Sequence, residues 1–326
     1  MTLSVLSVIA GLLLLFGGGE VLVRGSVQLA ERMGVSPLII GLVVIGFGTS
    51  MPELVTSLQA AIDGTPDVAW GNIVGSNISN SVFILGAATL AAPIVLDANG
   101  LKRDAAFGFA ISILLWLLAV SGLISVMTGI ALICLLFAYL GYAYYEETHD
   151  APTHGAAYDK GAAHSITLPE TNLEATGWTK PVLMTVAGLV LLILGGKLLV
   201  SGAVTIATYI GLSQAVIGLT IVAIGTSLPE MITSVIAAWR GEGEIALGNI
   251  AGSNIYNILG IGGATAIASP GPLPTAVVGF DVPILLATSL TLLLIISTRK
   301  IIGRMSGAIL LAAYAAYLAL TIANST

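Results

Sequence analysis

The chain has 326 residues, of which 56% are hydrophobic and only 9% are charged, and its mean hydropathy is +1.02. A soluble domain carries roughly 25% charged residues, so this composition excludes a water-soluble globular protein. The formal net charge of -6 comes mainly from predicted loops, and no basic patch with interleaved aromatic residues indicates a nucleic-acid partner. The single cysteine, Cys134, lies in an apolar block and cannot form an intramolecular disulfide.

Apolar blocks of about 20 residues, the length of a helix that crosses ~30 Å of hydrocarbon, divide the chain into predicted membrane spans. The ten predicted spans are 3–23, 37–61, 68–92, 104–121, 124–145, 181–201, 214–238, 244–267, 278–298 and 304–323. No positively charged region precedes the first block and no clear cleavage site follows it, so it is interpreted as a retained helix and not as a signal peptide. The sequence therefore predicts an all-α integral membrane protein.

Basic residues predict the orientation of these spans. With the N-terminus outside, the inward joints and the inner end of the first span hold Arg24, Arg32, Lys102, Arg103, Lys160, Lys180, Arg240, Arg299, Lys300 and Arg304. Among the basic residues, Lys197 alone, late in the sixth span, lies toward the outside. Cytoplasmic joints are the ones rich in Lys and Arg, so we expect a multi-pass protein of the cell (inner) membrane with both termini outside.

One long hydrophilic stretch, 146–180, separates two halves, 1–145 and 181–326, and is predicted to face the cytoplasm. It holds all three histidines, His149, His154 and His164. A regulatory metal site in this stretch is one interpretation. A solvated linker is the interpretation we favour, because the stretch is shorter than an independent domain.

The two halves repeat each other at a constant shift of 177 residues. GLVVIGFGTSMPELVTS starts at Gly41 and GLTIVAIGTSLPEMITS at Gly218, while GNIVGSNISN starts at Gly71 and GNIAGSNIYN at Gly248. The motif regions are thus 41–80 and 218–257. Each half holds five predicted spans, and an odd number means that the second half enters the membrane from the opposite side. The prediction is therefore two inverted-topology five-helix repeats, with a substrate site near the midplane where they meet.

Three acidic residues stand out inside the predicted apolar segments: Glu20, Glu53 and Glu230. Glu20 is near the end of its span, and its repeat partner is Lys197, so mutual neutralisation or snorkelling is favoured there over an ion site. Glu53 and Glu230 are repeat partners well inside the second and seventh spans. A carboxylate at that depth is costly, and a matched pair predicts a cation site.

The residues around this pair support the prediction. At helical spacing, hydroxyl side chains extend one polar stripe on both sides of each glutamate: Thr49, Ser50, Thr56 and Ser57, and Thr226, Ser227, Thr233 and Ser234. Pro52 and Pro229 free the carbonyls of Gly48 and Gly225, which need a partner in hydrocarbon. The alternative is a plain proline kink whose hydroxyls bond back to their own helix.

The third and eighth spans are predicted to supply the opposing wall. Polar residues recur every four positions on one face of each span: Asn72, Ser76 and Asn80, and Asn249, Ser253 and Asn257. Glycines at 71, 75, 248 and 252 allow close helix packing, which is the plainer explanation of the pattern. Two carboxylates with neutral oxygens are the kind of ligand set that Ca2+ binds. The predicted site contains no His or Cys, which disfavours zinc and copper.

The motifs GTSMPE with GNIVGSNISN, and GTSLPE with GNIAGSNIYN, resemble the paired repeats of sodium/calcium exchangers in the calcium:cation antiporter superfamily. The resemblance covers nearly the whole chain and implies Ca2+ and Na+ as transported ions in one central cluster, with no cofactor. It also implies that the first and sixth helices slide across the core. The residues it implies as ligands are Glu53, Glu230, Thr49, Thr226, Ser50, Ser227, Ser76, Ser253 and Asn80, with its counterpart Asn257 and the carbonyls of Gly46 and Ala223.

The chain departs from part of that family at Asn257, where many relatives carry an Asp associated with potassium dependence. Asn at both 80 and 257 leaves two formal charges, which makes potassium co-transport less expected and puts the sodium stoichiometry in doubt. Val74 and Ala251 stand where the proton-coupled branch usually carries an acid.

Four functions are weighed against one another. Exchange of Ca2+ for Na+ is the main hypothesis, and Ca2+/H+ exchange through the same carboxylates is the alternative. A cation channel is disfavoured, because channels usually form from subunits around a shared axis. An intramembrane enzyme is disfavoured, because no His or paired Asp is placed in a span to act as a base. A monomer is expected to be sufficient for transport.

Overall fold

The computed structural model describes residues 2–96, 99–149, 177–209, 223–275 and 277–325, and almost all of them are helical. In chain order, the α-helices are α1 Thr2–Met33, α2 Pro37–Ile40, α3 Gly46–Thr49, α4 Met51–Ile62, α5 Pro66–Ile78, α6 Leu85–Ala91, α7 Asn99–Ser121, α8 Val126–His149, α9 Thr179–Tyr209, α10 Ala223–Thr226, α11 Leu228–Trp239, α12 Gly243–Ile255, α13 Gly262–Ala268, α14 Val282–Thr298 and α15 Arg304–Ser325. Within these ranges, π-helical segments link some of the α-helices: Gly41–Ile45, Ser79–Ile84, Tyr256–Ile261 and Val277–Asp281.

Proline and glycine set many of the helix ends. Pro37 begins α2, and Ser36 precedes it with a side chain that accepts a hydrogen bond from the Ile39 amide. Proline suits the first turn of a helix because its missing N–H has no intrahelical acceptor there. Gly64 and Gly241, at equivalent positions after α4 and α11, have φ values of 75° and 83°. Glycine adopts such positive φ values far more readily than other residues.

The 177-residue repeat is visible in the helix boundaries themselves. Shifting α4, α5 and α6 by 177 residues gives α11, α12 and α13 with the same first and last positions. The π-helical segment Ser79–Ile84 likewise maps onto Tyr256–Ile261. Equivalent sequences have therefore folded into equivalent local structures.

Helices α1 and α9 form a tight antiparallel pair. Glycines spaced seven residues apart line their contact: Gly11, Gly18 and Gly25 on α1, and Gly188, Gly195 and Gly202 on α9. A Cβ atom added at Gly188 would lie 2.6 Å from the Leu22 amide nitrogen, so only glycine permits this approach. The two helices therefore pack with their backbones almost in contact.

Short backbone pairings join the two halves at both ends of the molecule. Strands β1 Ile94–Val95 and β2 Ile301–Ile302 pair antiparallel, with Ile94 opposite Ile302. At the other end the Gly271 amide donates to the Ile124 carbonyl at 3.1 Å. The shift of 177 residues relates positions 94 and 271, and also positions 124 and 301, so the two backbone pairings are equivalent in the two repeats.

The membrane-spanning character is confirmed, whereas the count of ten spans stays a prediction. Within the described residues, seven helices are long and apolar enough to cross a membrane, and a bent pair, 37–49 with 51–62, makes eight. Of the other two predicted spans, 244–267 is filled by an uninterrupted helical run from Gly243 to Ala268 that is not among the strongly apolar helices, and the described part of 214–238 holds the short helices α10 and α11. The start of the predicted span 214–238 and the linker core, 150–176, lie outside the described residues, and so do the histidines of that core.

Candidate cation site

The two glutamates lie directly after breaks in their helices. The helix bends by 44° between the segments that end at Thr49 and begin at Met51. Ser50 and Ser227 occupy the breaks with nearly the same backbone angles, φ -80°, ψ 4° and φ -86°, ψ 7°. Pro52 and Pro229 follow as the second residues of α4 and α11. Glu53 and Glu230 are thus in the first turn of α4 and α11, where the helix dipole stabilises a carboxylate.

The two repeats exchange hydrogen bonds at these breaks. Ser50 Oγ donates to Glu230 Oε1 at 3.1 Å, and Ser227 Oγ donates to Glu53 Oε1 at 3.3 Å. Both glutamates are only 2% exposed. Because each serine neighbours the glutamate of its own repeat, the crossed bonds bring the two carboxylates together inside the protein.

Several oxygens at this centre are buried but accept no hydrogen bond from the described residues. They are Glu53 Oε2, Glu230 Oε2, Asn80 Oδ1 and Asn257 Oδ1. A buried carboxylate oxygen without a donor costs free energy unless a cation or water contacts it. The two asparagines lie in the equivalent π-helical segments, a distortion that recurs at functional sites.

Asn72 and Asn249, predicted as part of the wall, anchor the broken helices. Asn249 Nδ2 donates to Ser234 Oγ at 2.9 Å and to the Glu230 carbonyl at 3.2 Å. Asn72 Nδ2 makes the equivalent bonds to Ser57 Oγ at 2.9 Å and to the Glu53 carbonyl at 3.4 Å. These amides therefore fix where each glutamate stands.

The remaining predicted ligands line the same region. Thr49 Oγ1 donates to Asn249 Oδ1 at 3.1 Å and also to its own helix, at the Ile45 carbonyl. Ser253 Oγ donates to the Gly46 carbonyl at 3.3 Å, which joins α12 to the first repeat.

Ser76 and Asn80 are buried on the α5 side of the region. The Thr226 hydroxyl is within reach of the Glu53 carboxylate. Ala223 begins α10, three residues before Thr226.

One part of the polar stripe differs between the repeats. Thr233 and Ser234 are fully buried, and so is Ser57, but Thr56 is exposed. The predicted equivalence therefore holds for Ser57 and Ser234 and fails for Thr56 and Thr233.

The expected pairing of Glu20 with Lys197 is wrong. Glu20 instead accepts hydrogen bonds from Arg24 on its own helix, at 2.5 Å, and from Arg240 at the end of α11, whose Nε lies 2.6 Å away. Lys197 is its counterpart in the repeat but lies on the other side of the point where the two antiparallel helices cross, since Gly18 faces Leu192 and Gly11 faces Leu199. The repeat therefore shows that Glu20 and Lys197 occupy equivalent positions, but it does not show that they contact each other.

Two further carboxylates, Asp104 and Asp281, were not singled out from the sequence. Asp104 is fully buried, with Arg103 2.7 Å away and the Tyr139 hydroxyl donating to it. Asp281 accepts from the Tyr317 hydroxyl at 2.9 Å. The shift of 177 relates the two aspartates, and that relation was the signal available in the sequence. Their described contacts are anchors between neighbouring helices.

The chemistry of the centre matches a hard cation. No group of three or more His, Cys, Asp or Glu side chains that could hold a metal occurs in the described ranges. The centre offers two carboxylates, amide oxygens, hydroxyls and a backbone carbonyl, which are ligands typical of Ca2+ and not of zinc or copper.

Comparison with known proteins places this architecture in a family. The model of the family described as "Sodium/calcium exchanger protein" matches residues 3–145 and 180–323. The chain is 36% identical over 320 residues to the putative antiporter CaxA of Alkalimonas amylolytica, covering 97% of this chain and 98% of that protein. It is 32% identical over 343 residues to the sodium/calcium exchanger MaX1 of Methanosarcina acetivorans, again covering 97% and 98%.

A solved structure gives the same result. The sodium-calcium exchanger NCX_Mj, soaked with Na+ and Sr2+, matches with a TM-score of 0.82 and 31% identity over 98% of each chain. The fold and the centre define a multi-pass membrane transporter that works as a cation antiporter. The chain belongs to the sodium/calcium exchanger family.

Proposed function

We propose that this protein exchanges Ca2+ for Na+ by alternating access, and that the two ions compete for the centre between Glu53 and Glu230. The observation that carries the proposal is the pair of crossed hydrogen bonds between the repeats, which leaves Oε2 of both buried glutamates without a described donor. A cation between these oxygens would replace the solvation that burial removes.

Charge and ligand number support Ca2+ as one cargo. Ca2+ takes about 6–8 oxygen ligands, of which two carboxylates can supply up to four. The predicted neutral ligands complete the set: Thr49, Thr226, Ser50, Ser227, Ser76, Ser253, Asn80, Asn257 and the carbonyls of Gly46 and Ala223. Two negative charges balance one Ca2+ or two Na+ ions, and a third Na+ would leave a net charge of +1. We expect one set of oxygens to hold either load but not both together.

Na+ coupling is supported by the similarity to MaX1 and NCX_Mj, both described as sodium/calcium exchangers. With three Na+ for one Ca2+, each cycle would move one net charge, worth about 2.3 kcal/mol per 100 mV. The predicted orientation would make this an extrusion of Ca2+ from the cytoplasm.

The decisive experiment is Ca2+ uptake into vesicles loaded with Na+. Uptake should rise with the outward Na+ gradient and vanish without it. Uptake that ignores Na+ but follows a pH gradient would reject Na+ coupling and establish the Ca2+/H+ alternative.

Removal of either central charge tests the site itself. Glu53→Gln and Glu230→Gln should each reduce Na+-driven uptake by at least about a hundredfold, because the loss of one charge from a buried charge-matched site costs about 3 kcal/mol or more. Asp67→Asn, which neutralises an exposed carboxylate near the start of α5, is the matched control and should retain uptake. Near-normal uptake in either glutamine variant would refute the assignment of the site.

A further inference from the structure

The repeats place charges of opposite sign at equivalent positions. Glu20 on α1 corresponds to Lys197 on α9, and Arg240, which follows α11, corresponds to Asp63, which follows α4. Each half therefore contributes one charged residue on a glycine-paired helix and one at the end of a broken helix. In the pair Glu20–Arg240 the acid lies on the glycine-paired helix, whereas in the equivalent pair Lys197–Asp63 the base lies there.

Only one of these two pairs is in contact. Arg240 Nε donates to Glu20 Oε2 at 2.6 Å, and its Nη2 donates to the other oxygen, so the contact is bidentate. In the described part of the chain, Asp63 accepts from Gln59 Nε2 at 2.9 Å and makes no ion pair with Lys197. Arg24 also contacts Glu20, but it lies on the same helix and does not bridge to another.

Packing at the two ends shows the same asymmetry. Near the Glu20–Arg240 pair, Gly19 of α1 lies against Ile232 and Ile236 of α11, which are 7% and 5% exposed. The equivalent positions on α4 are open, since Val55 is 63% exposed and Gln59 is also exposed. Helix α1 thus packs against α11 at the Arg240 end, whereas α4 has no equivalent cover at the Asp63 end, and we take the first end as closed and the second as open.

Because the repeats are inverted, this asymmetry predicts which contacts form in the opposite state, in which the other end is closed. When two such repeats exchange conformations, the transporter passes from a structure open at one end to a structure open at the other. The contact made by one repeat is then replaced by its equivalent in the other repeat. For this chain, the exchange breaks Glu20–Arg240 and forms Lys197–Asp63.

We infer that Glu20–Arg240 and Lys197–Asp63 are two alternating ion-pair latches, one at each end, that determine which end of the central site is closed. All four are positioning residues, since none touches the proposed cargo. The inference rests on the proposed alternating access, but not on which ion drives it. By the predicted orientation, the pair that is formed closes the cytoplasmic end.

Charges around Arg240 strengthen the closed latch. Glu242, in the joint after α11, is half-buried, and burial raises its pKa, with the charge of Glu31 adding to the rise and Arg240 opposing it. Acidic side chains thus face Arg240 from both α1 and the following joint. They keep the arginine at this end, where Glu20 can reach it.

Equivalent reporter cysteines can measure the two states directly. Val55→Cys reports on the open end and Ile232→Cys on the closed end, each in a Cys134→Ser background. Labelling with a hydrophilic thiol reagent in detergent reaches both ends at once and requires no transport. In the unmodified latch background, the cysteine at position 55 should react faster than the one at position 232.

The latch variants should move the two rates in opposite directions. Glu20→Gln, or Arg240→Gln if the first is poorly folded, should speed labelling at 232 and slow it at 55, changing the ratio about two- to fivefold. That range corresponds to about 0.5–1 kcal/mol for a partly exposed ion pair at 1.36 kcal/mol per tenfold. Lys197→Gln should change the ratio the other way, and the charge exchange Lys197→Asp with Asp63→Lys should restore it.

Arg24→Gln is the matched control, because it removes a charge beside Glu20 without removing the bridge to Arg240, and it should leave the ratio unchanged. An unchanged ratio in both Glu20→Gln and Arg240→Gln would overturn the latches. A Lys197→Gln shift in the same direction as the Glu20→Gln shift would overturn them too. Because labelling is independent of the driving ion, a failure of Na+ coupling would leave this result standing, and normal Na+-driven exchange with unmoved ratios would refute the latches alone.

Discussion

At the scale of single residues, the two oxygens of each central glutamate have different surroundings. Ser50 and Ser227 orient one oxygen of each glutamate, and the other oxygen stays free for a cation. The anchoring asparagine amides contact the backbone of the glutamates and not their carboxylates. Asn249 holds the start of α11 through the Glu230 carbonyl and also accepts from Thr49, so it connects both repeats behind the site.

The two anchoring asparagines should differ in importance. Asn249 is fully buried, whereas Asn72 is partly exposed. Asn249→Ala should destabilise the protein by about 1–3 kcal/mol, because it leaves buried partners without a hydrogen bond, and Asn72→Ala should cost less. Thermal unfolding in detergent and the Ca2+ concentration for half-maximal uptake would measure both effects. Equal effects of the two substitutions would contradict the argument from burial.

At the scale of elements, the close packing of α1 against α9 defines one unit. Glycines every seventh residue bring the two backbones together, and a side chain at most of these positions would strike the opposite backbone. Such a contact resists sliding within the pair. Any displacement therefore carries α1 and α9 together past α4 and α11, where the two latches lie.

Gly188→Ala should test this packing. The added Cβ would lie 2.6 Å from the Leu22 amide nitrogen, and overpacking of this kind costs about 1–3 kcal/mol. The melting temperature in detergent should fall. Gly17→Ala is the control, because nothing lies within 4 Å of its added Cβ, and it should be neutral or slightly stabilising. A Gly188→Ala protein as stable as the control would show that the helices do not hold this contact.

At the scale of the whole molecule, the 177-residue shift organises more than the ion site. Ser112 and Ser289, which are equivalent positions, meet with their Oγ atoms 3.1 Å apart, so they lie where the repeats face each other. Asp104 and Asp281 follow the same relation, as do the backbone pairings at the two ends. These links connect α7, α14 and their neighbours into a core that we expect to stay fixed while α1 and α9 move.

A cross-link between the two serine positions would test whether the core stays fixed. Ser112→Cys with Ser289→Cys, in a Cys134→Ser background, places two thiols at disulfide distance. Oxidation should form the cross-link, and Na+-driven Ca2+ uptake should retain at least about half its rate. Non-reducing electrophoresis measures the bond and vesicle uptake measures the rate. Loss of uptake that returns on reduction would mean that the core moves during transport.

The sequence by itself determined the class of protein, the repeat and the pair of central carboxylates. Composition and block length report directly on a hydrocarbon environment, and the constant shift makes equivalent local structures almost unavoidable, as in α4 and α11. The sequence also indicated the helix breaks, because Pro52 and Pro229 cannot continue the hydrogen-bond ladder. These are local or periodic signals that need no knowledge of which surfaces meet.

Only the tertiary structure decided which residues touch. The sequence predicted that Glu20 and its repeat partner Lys197 either neutralise each other or snorkel. In this antiparallel pair the equivalent positions lie on opposite sides of the helix crossing, and Glu20 meets Arg240 instead. It assigned Thr56 and Thr233 equal places, yet one is exposed and the other buried. The two repeats carry closely similar motifs but are not equivalent in this structure. The proposed alternating access would account for this, because such a protein closes one end at a time, and which end closes depends on long-range contacts that a repeat pattern does not contain.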